Sequence, residues 1–72
     1  MALTSPKTAQ ELLDFYWPDM RSHLVEVAAA FDRLERAGGV DDPRLSALRR
    51  VARIAVDEQP ERARRVLEEL SE

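Results

Sequence analysis

The sequence predicts an all-α protein, a small antiparallel bundle of three to four helices. Three observations support this class. The 72 residues are rich in Ala, Leu, Glu and Arg, which are strong helix formers. No stretch alternates apolar and polar residues with the period of a strand. The four prolines and two glycines punctuate the chain between helical segments. We expect a flexible N-terminus over 1–7 and a single helical domain over 8–72.

The first helix is predicted to begin at Ala9. Thr8 followed by Glu11 has the pattern of a capping box, in which each residue bonds to the other's backbone N–H. Pro18 lacks an N–H, and its ring clashes with the carbonyl group four residues earlier. The chain is therefore expected either to kink at Trp17 or to begin a second helix with Pro18 at its first position.

The next segment carries the clearest helical pattern. Five large apolar residues are spaced 4, 3, 4 and 3 apart, which is the a/d pattern of a coiled coil over two heptads: Met20, Leu24, Val27, Phe31 and Leu34. Three alanines at 28–30 widen this face with small side chains. Gly38 favours a left-handed residue just beyond the helix end. One copy of so small a chain has little surface with which to cover this face, so a homodimer is predicted.

Two further helices follow. Asp42 and Pro43 are the preferred residues for an N-cap and a first helical position, so a helix should begin there and end near Asp57 or Glu58. Pro60 is predicted to open the last helix. The short connections favour antiparallel packing of sequential helices.

Composition narrows the classes of function. The net charge of −3 argues against nucleic acid as the main partner, although four arginines at 44, 49, 50 and 53 form a basic segment. The absence of cysteine excludes disulfides and thiolate metal sites. The longest apolar run, 27–31, is too short to span a membrane. We therefore expect a cytoplasmic protein with no membrane partner, and the preference for arginine over lysine suggests a GC-rich bacterial genome.

Three consecutive aromatic residues form the first candidate site. Phe15, Tyr16 and Trp17 lie just before Pro18. Tyrosine and tryptophan are enriched at interaction hot spots, so this corner could anchor a partner. The alternative is that the rings fill the space where the helix turns, because three consecutive residues cannot all face one side of a helix.

A second candidate site would bind a metal. Asp19, His23 and Glu26 are spaced i, i+4 and i+7 and therefore share one side of a helix. Carboxylates and imidazole bind divalent Fe, Mn or Zn, and a two-fold dimer would supply a second set. The alternative is a solvated face whose histidine pairs with a carboxylate. No signature of a catalytic nucleophile or of a phosphate-binding loop is present, so no enzyme activity and no cofactor are expected.

The stretches HLVEVAAAFDRLERAGG, DPRLSALRRV and QPERARRVLEELS resemble small bacterial all-helical proteins with no established activity. The resemblance spans about residues 20–71 and implies no functional residue. The predicted function is non-enzymatic protein–protein interaction, with self-association or another protein as partner. It would use the aromatic corner and the apolar a/d face. The alternative is a metal- or ligand-binding accessory protein that uses Asp19, His23 and Glu26.

Overall fold

A computed structural model describes residues 7–71, which form three α-helices and no strand. The helices are α1 (Ala9–Arg36), α2 (Pro43–Val56) and α3 (Arg62–Leu70). The predicted all-α class is confirmed. The chain divides into two compact units, Met1–Gly39 and Val40–Glu72, so α1 belongs to the first and the other two helices to the second. The predicted flexible N-terminus lies outside the described residues except for Lys7, and the single domain over 8–72 stays a prediction.

The start of α1 confirms the predicted capping box. The backbone N–H of Glu11 donates to Oγ1 of Thr8 at 3.1 Å, and the N–H of Thr8 donates to Oε1 of Glu11 at 2.9 Å. These bonds occupy two backbone donors at the helix start, neither of which has an acceptor within the helix. Helix α1 therefore begins at Ala9, as the sequence predicts.

Helix α1 continues through Pro18 for 28 residues. No new helix begins at Pro18, so the two segments predicted on either side of it belong to one element. The missing N–H of Pro18 leaves the carbonyl oxygen of Asp14 without its usual helical donor. Both residues are exposed, so water can bond to that oxygen.

Two glycines end α1. The N–H of Gly38 donates to the carbonyl oxygen of Glu35 at 3.0 Å, and the N–H of Gly39 donates to that of Leu34 at 2.9 Å. This pair of bonds is the Schellman motif. Gly38 has φ of 105° and Gly39 has φ of 74°, a region that side chains with a Cβ disfavour. The predicted left-handed residue at Gly38 is confirmed.

Helix α2 begins and ends where the sequence predicts. Oδ1 of Asp42 accepts a hydrogen bond from the backbone N–H of Arg44 at 2.8 Å, and Pro43 occupies the first helical position. The last helical residue is Val56, and Asp57 is the C-cap. Asp42 therefore acts as an N-cap whose side chain replaces an absent helical acceptor.

Helix α3 begins two residues later than Pro60, which was expected to open it. Glu61 precedes the helix with φ of 60° and ψ of 38°, the left-handed conformation. Its side chain forms no capping hydrogen bond. A left-handed residue cannot be part of a right-handed α-helix, so Glu61 lies outside α3. The first residue of α3 is therefore Arg62.

Helices α2 and α3 pack on each other in the second unit. Val51, 8% exposed, is the only buried residue in the part of the chain that the structure describes. Leu45, Ile54 and Val66 are half-buried. An ion pair between Arg50 Nε and Glu69 Oε2, 3.2 Å long, joins the two helices. Units below about 40 residues rarely bury enough surface to be stable alone, so this hairpin has little core of its own.

Candidate interaction surface

One face of α1 carries a continuous apolar a/d pattern over three heptads. Because the helix runs unbroken through Pro18, the predicted spacing extends towards the N-terminus by two further positions, 17 and 13. We call the complete set the α1 seam: Leu13, Trp17, Met20, Leu24, Val27, Phe31 and Leu34. With 3.6 residues per turn, these seven side chains lie within an arc of about 100°. The seam is therefore one surface along most of the helix.

The seam is largely accessible. Trp17 and Leu24 are each 58% exposed, and Leu13, Met20, Val27 and Leu34 are also exposed, while Phe31 is half-buried. None of the residues of α1 is buried. The first unit contains no second helix among residues 7–39, so no helix of that unit covers the seam. Apolar residues grouped in this way form one contiguous apolar patch, unlike the single apolar side chains scattered over an ordinary surface.

Pro18 lies on the opposite side of α1 from the seam. The helical period places it about 160° from the centre of the seam. The local disturbance caused by its ring therefore falls on the side away from the seam, and the a/d spacing is kept. The proline thus leaves the apolar surface continuous.

The three aromatic residues divide between two sides of α1, as their adjacency requires. Trp17 belongs to the seam, and Tyr16 flanks it. Phe15 lies about 140° from the centre of the seam. Its ring contacts Tyr16 edge-on, with centroids 5.1 Å apart, and Lys7 Nζ lies 4.8 Å from its centroid. All three rings are exposed, so the corner is not filled by packing within α1.

The predicted metal ligands lie beside the seam. Asp19, His23 and Glu26 are exposed residues on one side of α1. Residues 7–71 contain no group of three or more His, Asp or Glu side chains placed to hold a metal ion. Within one chain, the shared side of the helix therefore does not bring the three groups to a common point. Their role as ligands stays a prediction that needs a second set of side chains.

The arginines of α2 are partly engaged by carboxylates of their own unit. Arg44 Nη2 lies 2.9 Å from Asp42 Oδ2, and Arg50 pairs with Glu69. The hydrogen bonds from the side chain and backbone of Arg44 lower the pKa of Asp42 to about 2. Because Arg44 and Arg50 each pair with a carboxylate, the basic segment presents less positive charge than its sequence suggests.

A polar cluster at the α2–α3 turn was not foreseen from the sequence. The guanidinium of Arg65 bonds both carboxylate oxygens of Asp57, at 2.7 and 2.8 Å, and donates to the carbonyl oxygens of Gln59 and Pro60 at 3.1 and 3.0 Å. Arg62 donates to the carbonyl oxygen of Asp57. This cluster fixes the path of the turn, because one side chain bonds three residues of it.

The same cluster sets an acid limit for the second unit. The bonds from Arg65, and then the backbone N–H of Gln59, lower the pKa of Asp57 from 3.8 to about 2. A carboxyl group whose pKa is lowered by folding binds fewer protons folded than unfolded. Its contribution to stability is present above pH 4 and is lost as the pH falls towards 2.

A shallow groove of about 510 Å³ lies between α2 and the end of α3. Its apolar lining includes Ala47, Leu48 and Leu70, and the Arg50–Glu69 pair lies at its edge. The groove is open and its charged side chains are already paired. It therefore offers a contact surface but no arrangement of groups for chemistry.

Comparisons with known proteins add no assignment. No protein-family model, curated protein or solved structure matches the chain. Among the helices described, none has both the length and the apolar character needed to cross a membrane.

Proposed function

We propose that the chain is a non-enzymatic helical protein that acts through protein–protein contact and self-associates as a homodimer. The observation that supports this most directly is the α1 seam, a three-heptad apolar surface on an uninterrupted 28-residue helix. Such a repeat is the pattern by which helices recognise each other. The expected setting is the cytoplasm of a bacterium.

The size of the seam supports a stable pair of helices. An aromatic side chain buries ~150–250 Å² in full, so Trp17, which is 58% exposed, offers roughly 100 Å² to a partner. The seam and the flanking Tyr16 are eight side chains, most of them about half exposed, and together they offer on the order of 600 Å² per copy, or about 1,200 Å² per pair. Specific interfaces begin at about that size.

The scarcity of buried surface also favours association. Val51 is the only buried residue among those described, although large apolar side chains are exposed in both units. Burial of apolar surface is the main favourable contribution to folding and to most protein association. A chain that leaves such surface accessible gains stability when a partner covers it, and a second copy is always available to provide that surface.

Molar mass by light scattering over a wide range of concentration tests the proposal. A homodimer gives twice the mass of one chain at high concentration, and dilution lowers the average mass towards that of one copy. A single-chain mass at every concentration would overturn self-association. The exposed aromatic corner would then be the expected contact for a different protein.

A further inference from the structure

We infer that the two α1 helices pair antiparallel, so that the aromatic end of each seam lies on the alanine-rich segment of its partner. This inference rests on the proposed homodimer and specifies how its two copies meet. It follows from the way large and small side chains are distributed along the exposed seam of one continuous helix.

Bulky and small side chains are separated along α1. Trp17, with Tyr16 beside it, gives the first half of the seam its largest side chains. In the second half, Val27 lies on the seam, with Ala28 and Ala30 on either side of it. The seam is therefore thickest at Trp17 and thinnest at Val27, before it widens again at Phe31.

Parallel pairing would combine like with like. Trp17 would face the same residue of the partner, and the thin segments around Val27 would also face each other. Two helices pack well at a nearly constant distance of about 8–10 Å. The tryptophan layer would hold the axes apart and leave space between the alanine segments, and unfilled space at an interface loses contacts.

Antiparallel pairing brings the largest seam residue, Trp17, against the smallest, Val27, in two symmetric layers. When Trp17 faces Val27 of the partner, Leu24 faces Met20 and Phe31 faces Leu13. Six layers are then filled, and the alanines beside Val27 leave room for the indole. Alternation of large and small side chains across facing positions is the arrangement that packs without voids. Opposed helix dipoles add a small favourable contribution.

Distances between spin labels test the orientation. The chain contains no cysteine, so a single introduced cysteine carries a single label per copy. Arg36→Cys places the label in the last turn of α1, on the outer side of the pair. Antiparallel pairing in this register separates the two labels by 28 residues along the axis, about 42 Å at 1.5 Å per residue. With the width of the pair, the expected distance is about 45 Å.

Ser22→Cys is the matched control, because its label lies on the same outer side but near the two-fold axis. It should give roughly 20 Å in either orientation. A distance near 45 Å at position 36 together with the short distance at position 22 supports the inference. About 20 Å at position 36 shows a parallel pair, and about 35 Å shows a register shifted by one heptad that removes Trp17 from the alanines. Either result overturns the inference while the homodimer stands. No distance between labels at either position means that the homodimer itself fails.

Discussion

Leu24→Ala should weaken the homodimer by about 100-fold. Leu24 lies at the centre of the α1 seam and is 58% exposed in the single helix, so more than half of its burial can occur only when a partner binds. Truncation of a fully buried leucine costs about 2–5 kcal/mol. The exposed share of a cost near 2.5 kcal/mol is about 1.5 kcal/mol per copy, or about 3 kcal/mol for the pair.

Sedimentation equilibrium over three decades of concentration measures this change in Kd. Circular dichroism at the same concentrations shows whether the helices remain formed. Alanine is the best helix former, so the substitution does not weaken the helix itself. A loss of dimer with helical content retained is therefore attributable to the seam.

Val25→Ala is the matched control. Val25 is the next residue of the same helix and is 62% exposed, but it lies about 140° from the centre of the seam. Its removal should leave Kd unchanged within about threefold. The reasoning is refuted if Leu24→Ala dimerises as tightly as the original chain, or if the two substitutions weaken the dimer equally.

Three further predictions concern stability. Asp57→Asn should lower the melting temperature at pH 7, because it removes the carboxylate that Arg65 bonds. It should also reduce the loss of stability between pH 4 and 2, because asparagine has no carboxyl group to protonate. Thermal melts from pH 2 to 7 test both effects, and an unchanged pH profile contradicts the second. Pro18→Ala should raise both helical content and melting temperature, by up to ~3 kcal/mol in stability, because an interior proline weakens a helix and this one lies away from the seam; a lower melting temperature in circular dichroism would show that the proline is needed. Glu61→Gly should be more stable than Glu61→Ala by about 1 kcal/mol, because a Cβ is disfavoured at φ of 60°. At Glu58, whose φ is not positive, alanine should be the more stable, because glycine gains more freedom in the unfolded chain. Urea titrations of the four variants measure this, and the same order at both positions contradicts the prediction.

Helix starts with local capping signals could be predicted from the sequence. Thr8 with Glu11, and Asp42 with Pro43, each fix a helix start through bonds between residues that are two or three positions apart. Such bonds depend little on the rest of the fold. The glycine end of α1 was predictable for the same reason, because Gly38 adopts a conformation that few other residues tolerate.

The turn between α2 and α3 could not be predicted in this way. Glu61 takes a left-handed conformation that its residue type does not favour, and no neighbouring residue signals it. The bond between Asp57 and Arg65 joins residues eight positions apart, and it forms only after the turn has brought α3 back towards the end of α2. Contacts of that kind depend on the path of the chain, which the local pattern does not contain.

The full length of the seam could have been predicted from the sequence, but Pro18 suggested a shorter one. The spacing of 4, 3, 4, 3, 4 and 3 from Leu13 to Leu34 is present in the printed chain, but Pro18 suggested that the pattern began only after it. The effect of a proline depends on which side of the helix it lies, as well as on its position along the sequence. Pro18 lies opposite the seam, so the lost hydrogen bond and the clash of its ring fall away from the apolar residues, which remain continuous. When the a/d spacing continues in register across a proline, the register itself argues for one helix, because a break or a sharp change of direction would have no reason to preserve it.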